Sequence, residues 1–147
     1  MFGSRSLASY WEPPTTSRST ALMERIGACS RTEAQAAGGR LVAIGELFAI
    51  RMAQRGETPD WAVDTWAAVG AEVAAALRIS LAMAGSYLHY TLALRERLPR
   101  VGQALCAGAI DWWTFRAIVY RTDLITDAAA LASVDATWRW PRRAGRR

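Results

Sequence analysis

The sequence contains no lysine and no asparagine, a single histidine and only two cysteines. A catalytic metal site usually needs several histidine, cysteine or carboxylate ligands held together, and one histidine is too few for the common sets. Cys29 and Cys106 show neither zinc-ligand spacing nor a disulfide framework, so we expect two buried or partly buried thiols in a reducing compartment. These absences predict a chain without a metal ion or other cofactor.

Other enzyme signatures are missing as well. No nucleophile-elbow motif accompanies His89, which is expected to lie solvated on the polar side of its helix. The segment "AAGGRL" lacks the pattern of a phosphate-binding loop, and the acidic pair Asp60 and Asp64 is typical of an exposed helix. The sequence therefore offers no catalytic constellation, and we expect a protein that is not an enzyme.

The net positive charge is concentrated at the C-terminal end. All 18 basic residues are arginine, and the net charge is +5. Five arginines and no acidic residue lie in the last nine positions: Arg139, Arg142, Arg143, Arg146 and Arg147. The other 13 arginines are balanced by 13 acidic residues. The high isoelectric point thus describes a basic tail over residues 138–147 and not a basic face of the folded body.

Composition divides the rest of the chain into an arm and one domain. Residues 1–18 are rich in serine, threonine and proline, which predicts a flexible arm without a secretory signal. The longest uncharged run, Ile79 to Leu94, has 16 residues, whereas a membrane-spanning helix needs about 20. We interpret this run as a core helix, disfavour a membrane role and expect a cytoplasmic protein. Residues 19–137 remain as one helical domain.

Apolar residues recur at helical spacing and no segment alternates like a strand, so an all-α, multi-helix bundle is predicted. Ser19 is predicted to cap a short helix that ends near Cys29, and Ser30 with Glu33 to start a second one. Later helices are predicted from these capping or starting signals: Thr58 with Pro59, Ser80, Arg100, Asp111 and Thr126.

The second predicted helix carries an apolar stripe formed by Ala34, Ala37, Leu41, Ile44, Phe48 and Met52. Gly38 and Gly45 lie beside that stripe. Glycine weakens a helix slightly but allows a neighbouring backbone to approach closely. Both positions therefore leave room for a neighbour to approach this helix closely.

Two segments share one layout, in which a short helix, an apolar residue and a capping residue precede a longer helix. Their junctions are Ile79–Ser80 and Ile110–Asp111, 31 residues apart. The layout is that of a helix-turn-helix, but ordinary packing hairpins look the same. The second helices carry few base-reading side chains, so the candidate nucleic-acid contacts are Arg116 and Arg121 together with the five tail arginines.

The stretch "LRERLPRVGQALCAGAI…FRAIVYRTDLITD…LASVDA" resembles the actinobacterial 13E12 repeat family, whose proteins carry domain of unknown function 222. The upstream piece from "GELFAIRMAQRGETPDW" to "ALRERLP" is similar too, and the likeness covers residues 19–136. In that family this helical region usually precedes an HNH nuclease domain with a divalent metal. The resemblance implies an association with nucleic acid or mobile elements, but it assigns no catalytic residue to this chain.

Where the family would continue, this chain ends in "RWPRRAGRR", which suggests a truncated form. The preferred hypothesis is a non-catalytic helical domain that lacks the nuclease part and has no independent activity. Truncation would then expose the apolar faces of Trp112 to Val119 and of the last helix. The alternative is a DNA-binding module that uses the helical hairpins and the arginine tail. A third possibility is a role in binding an unknown protein partner or a membrane.

Overall fold

The computed structural model describes residues 14–55 and 60–137, with the backbone alone for residue 55 and residues 60–64. Within these ranges the chain forms six α-helices and no strand, which confirms the predicted all-α fold. The helices are α1 (Ser17–Arg55), α2 (Asp60–Leu77), α3 (Leu81–Leu92), α4 (Pro99–Cys106), α5 (Trp112–Thr122) and α6 (Ala128–Thr137). A π-helical turn, Ala93–Arg97, continues α3.

The first helix is continuous over 39 residues, so the predicted break at Ser30 is wrong. No proline interrupts the segment, and inside the helix Thr32 Oγ1 donates a hydrogen bond to the carbonyl of Ala28 at 3.1 Å. The predicted cap at Ser19 is also wrong, because Thr16 caps the helix. Thr16 Oγ1 accepts from the Ser19 amide at 3.1 Å, and Ser19 Oγ accepts from the Thr16 amide at 2.9 Å. This reciprocal pair satisfies the first free amides.

Two other predicted caps are confirmed and one is corrected. The Ser80 hydroxyl accepts from the first turn of α3 at 3.2 Å, and the Asp111 carboxylate accepts from that of α5 at 2.6 Å. The last helix is capped by Asp127 and not by Thr126, because the Asp127 carboxylate accepts from two amides of the following turn. The start signal at Thr58 and Pro59 lies outside the described residues.

The long first helix passes through two apolar clusters. The first cluster joins it to α2 and α3 through Ile44, Val69, Val73, Ala74, Ala84 and Leu88. The second joins it to the π turn and to α4, α5 and α6 through Ala34, Leu41, Ala93, Leu94, Leu98, Val101, Leu105, Ile110, Phe115, Val119 and Leu131. The predicted stripe on α1 therefore faces the core, and α1 acts as a common support for both halves.

Among the described residues, no single helix is long and apolar enough to cross a bilayer. The segments Thr65–Leu77 and Leu81–Arg97 meet the length and composition required for a span only when taken together, and the chain bends by 109° between them. That bend lies within the range of a helix-turn-helix. Arg78, with a φ of 55°, is part of the turn.

The two cysteines differ in exposure. Cys106 is half-buried between α4 and α1, and burial raises the pKa of its thiol. Cys29 is exposed on α1, so the prediction that both thiols are buried or partly buried is wrong for this residue. The reason is that the first part of α1, around Leu22, Met23 and Ile26, has no helix packed over these side chains among the described residues.

Glycine permits the close approach that we predicted for α1. A Cβ atom added at Gly38 would lie 2.8 Å from Cys106 Sγ and 2.9 Å from Cys106 Cα. A Cβ atom at Gly45 would lie 2.8 Å from Arg95 Cδ. The clash at Gly38 involves the backbone of Cys106. Any larger residue at position 38 would therefore force α4 to move away from α1.

A matched pair of substitutions tests this contact. Gly38→Ala should lower the free energy of unfolding by about 1–3 kcal/mol, since the added methyl group overpacks the α1–α4 contact. Gly39→Ala should raise it by about 0.5–1 kcal/mol, because nothing lies within 4 Å of its Cβ position. Urea unfolding followed by circular dichroism measures both values. Equal effects of the two substitutions would contradict the close packing.

Candidate nucleic-acid interface

The helix α4 begins without a cap of its own. Leu98 occupies the capping position but has no suitable side chain, and Pro99 has no amide hydrogen. The carboxylate of Asp135, on α6, accepts hydrogen bonds from the amides of Arg100 and Val101, both at 3.0 Å. Asp135 is only 4% exposed. A buried carboxylate from another helix thus satisfies the amides that the sequence leaves free and favours the positive end of the α4 dipole.

The C-terminal end of α5 is also bound by a charged side chain from another element. Arg97 reaches from the π turn and pairs with Asp123, with Nη1 2.7 Å from Oδ1. Its Nη2 donates to the carbonyl of Thr122 at 3.0 Å and lies within 3.5 Å of the carbonyls of Asp123 and Ile125. Cations at a helix C-terminus stabilise the free carbonyl groups there. Arg97 therefore joins the end of α3 to the end of α5.

His89 takes part in the same contact. Its Nε2 lies 3.2 Å from Asp123 Oδ1, and its side chain is 42% exposed. The expectation of a solvated histidine therefore needs a correction, because His89 contacts the carboxylate that also binds Arg97. Within residues 14–55 and 60–137, no group of three or more His, Cys, Asp or Glu side chains could hold a metal ion.

These contacts explain much of the segment that carries the family resemblance. Arg97 and Pro99 belong to "RERLP", Asp123 belongs to "YRTDLITD", and Asp135 belongs to "LASVDA". Each of the three charged side chains ends or begins a helix, and all three also line an open cleft of about 750 Å³ between the π turn, α4 and α6. The motif residues are therefore accounted for by the joining of α3, α4, α5 and α6.

Removal of the buried cap tests this role. Asp135→Ala should lower the free energy of unfolding by about 3 kcal/mol, because two amides lose a charged acceptor. Asp127→Ala, which removes the exposed cap of α6, should cost about 1 kcal/mol. Chemical unfolding of both variants gives the comparison. Similar losses would show that Asp135 has no special role in joining α6 to α4.

Helix α5 has two different faces. Its inner face buries Phe115 and Val119, so the expected exposure of the apolar residues from Trp112 to Val119 does not apply to these two. Its outer face leaves Trp113 71% exposed and Tyr120 83% exposed. Two large aromatic rings thus lie on the solvated face of this helix, two turns apart.

An aromatic cluster joins α3 to the start of α5. The ring of Trp112 stacks on Tyr87 at 5.8 Å and meets Tyr90 edge-on at 5.3 Å, measured between centroids. Tyr87 also accepts a hydrogen bond from Arg40 Nη1 at 3.0 Å. These contacts fix the position of α5 relative to α1 and α3.

Arg116 lies at the edge of that cluster. Its guanidinium carbon is 5.1 Å from the ring centroid of Trp113, 5.7 Å from that of Tyr90 and 5.9 Å from that of Trp112. Its Nε donates to Tyr90 Oη at 3.2 Å. In the described part of the chain, no acceptor is paired with its two terminal nitrogens. Aromatic contacts thus hold the planar group in place and leave its two-pronged end available to an anion.

The structure brings together only part of the predicted arginine set. Arg116 and Arg121 both lie on α5, and Arg121 is exposed. The five tail arginines, Arg139, Arg142, Arg143, Arg146 and Arg147, lie outside the described residues. Sequence reasoning missed Trp113 and Tyr120, although their spacing of seven residues, opposite the apolar stripe of α5, was a usable signal.

The two helical hairpins differ in their outer faces. In the first, exposed residues at the start of α3 are Leu81 and Met83, which offer no charge. In the second, α5 presents Arg116 and Arg121 beside two exposed rings. The second hairpin is therefore the better candidate for an anionic ligand.

A family model described as "Domain of unknown function (DUF222)" matches residues 28–142. The uncharacterized protein Rv2100 of Mycobacterium tuberculosis is 43% identical over 116 residues, which is 79% of this chain and 21% of the relative. The uncharacterized protein Rv3776 of the same organism is 40% identical over 116 residues, again 79% of this chain and 22% of the relative. The chain thus spans about a fifth of the length of these relatives. No solved structure matches it significantly.

Proposed function

The chain belongs to the DUF222 family, and we propose that it is a non-catalytic helical module that binds nucleic acid through the outer face of α5, with help from its arginine tail. The proposal extends the resemblance to the 13E12 repeat family, whose helical region usually precedes an HNH nuclease. In such a protein the module would hold nucleic acid and another domain would cut it.

The availability of Arg116 is the observation that carries the binding proposal. Three side chains, Tyr90, Trp112 and Trp113, position its guanidinium group, while its terminal nitrogens have no described protein partner. A pre-positioned guanidinium loses little side-chain entropy when it binds a phosphate. Arg121, five residues further along, adds a second exposed cation to the same helix.

Charge balance limits how strong this binding can be. The chain up to residue 138 has as many arginines as acidic residues, so the body carries no net positive charge. A contact made by two arginines would contribute modestly to affinity, and that contribution would fall as the salt concentration rises. The tail arginines would add attraction to phosphates without sequence preference.

A charge-matched pair of variants tests the binding proposal. The background is the full chain with Arg139, Arg142, Arg143, Arg146 and Arg147 replaced by glutamine, so that the tail cannot dominate. In this background, the double substitution Arg116→Gln and Arg121→Gln should lower the affinity for a fluorescent oligonucleotide by about tenfold or more. It should also reduce the slope of log affinity against log salt concentration by about two. Arg25→Gln with Arg31→Gln removes the same charge from an exposed part of α1 and should have little effect.

Fluorescence anisotropy over a salt series gives both quantities. Equal losses in the two pairs would mean that net charge, and not the α5 face, determines binding. Metal-dependent nicking by highly purified protein, abolished by His89→Ala, would contradict the non-catalytic part of the proposal.

The second candidate is a helical scaffold with no binding activity of its own. It is favoured by the use of Arg97, Asp123 and Asp135 in joining helices, which gives these three motif residues a structural role. Absence of any oligonucleotide binding by the tail-neutralised chain would favour this candidate.

A further inference from the structure

We infer that the outer face of α5 binds single-stranded nucleic acid by stacking unpaired bases on Trp113 and Tyr120, with Arg116 and Arg121 placed on the phosphates. This inference rests on the proposed function and specifies the form of nucleic acid that the site takes. The juxtaposition on one helix of two exposed rings, the exposed Arg121 and the terminal nitrogens of Arg116, which have no partner among the described residues, carries it.

The two rings form a row along the helix. Seven residues separate Trp113 from Tyr120, which places them about 10 Å apart along the axis and within about 20° of the same direction. Both side chains are more than two-thirds exposed, at 71% and 83%. Leu124, 92% exposed in the turn after the helix, extends the apolar surface beyond the second ring.

The arginines flank this row on opposite sides. Helical geometry places Arg116 about 60° to one side of Trp113 and Arg121 about 80° to the other. If bases stack on the rings, the sugar-phosphate backbone that links them would have an arginine on either side to bind its phosphates. Proteins that bind single strands without sequence preference combine aromatic platforms with positive charge in this way.

The nearby acidic groups do not cancel these cations. Asp123, at the end of α5, pairs with Arg97 and lies against His89. Glu33, Asp111 and Arg40 line a groove between α1 and the start of α5, and Trp113 also lines it. Two carboxylates and one guanidinium leave the groove with a net negative charge, so the strand is expected to run from Trp113 toward the C-terminal end of α5.

A duplex fits this face poorly. Reading base edges in the major groove needs donors and acceptors such as Asn, Gln or several Arg side chains. The α5 face offers two bulky rings, with Leu124 in the turn that follows the helix. The open faces of unpaired bases can cover these apolar surfaces, whereas base-pair edges cannot. Single strands are therefore the form that buries these rings.

The experiment compares a fluorescein-labelled 20-nucleotide oligothymidine with a 20-base-pair duplex, using the full chain with the five tail arginines replaced by glutamine. Trp113→Ala and Tyr120→Ala should each weaken single-strand binding by about tenfold. Trp113→Phe and Tyr120→Phe, which keep a ring, should restore most of the affinity. Leu81→Ala removes an exposed apolar side chain from α3 and should change nothing.

The outcomes separate the inference from the proposed function. Preference for the single strand that depends on both rings supports the inference. Equal binding of duplex and single strand, lost in the arginine pair but retained in the ring variants, overturns the inference and leaves the proposed function standing. Loss of all binding on tail neutralisation overturns both. A dimer in light scattering that Trp113→Ala dissociates would show that a second copy covers this face and would also overturn the inference.

Discussion

One buried carboxylate determines how the second half of the molecule is assembled. Asp135, near the end of α6, binds the two free amides at the start of α4, where Pro99 has begun the helix without a cap. A charged group so well buried is tolerated because its oxygens are hydrogen-bonded and face the positive end of a helix. Helix α6 therefore supplies the N-terminal cap of α4, through a contact between residues 34 positions apart in the sequence. Together with the Arg97 contact to α5, this coupling joins residues 97–137 into one packed unit.

The position of the candidate interface follows from that unit. Arg97 fixes the C-terminal end of α5 while the ring cluster of Tyr87, Tyr90 and Trp112 fixes its beginning. With both ends held and Phe115 buried, the outer face of α5 has a defined orientation and cannot fold inward. The exposed rings and arginines are thus presented on a rigid element, which lowers the entropic cost of binding a ligand.

Short-range patterns in the sequence predicted those structural features that depend only on residues close together in the chain. The caps at Ser80 and Asp111, the all-α fold and the close approach at Gly38 all follow from short-range patterns. The continuity of α1 did not, because a serine within a helix looks the same as a serine that begins one. The role of Asp135 also could not be predicted, since its partners lie 34 and 35 residues away and depend on the packing of α6. The arginines of α5 were identified, but the rings that hold Arg116 come partly from α3 and required the tertiary structure.

Amide hydrogen exchange followed by NMR tests the buried cap most directly. The first amides of a helix have no partner within it and normally exchange quickly. If Asp135 caps α4, the amides of Arg100 and Val101 should exchange at least about tenfold more slowly than those of Trp112 and Trp113, which occupy the first turn of α5. Equal and rapid exchange at the two helix starts would contradict the contact, and with it the account of how α4, α5 and α6 are joined.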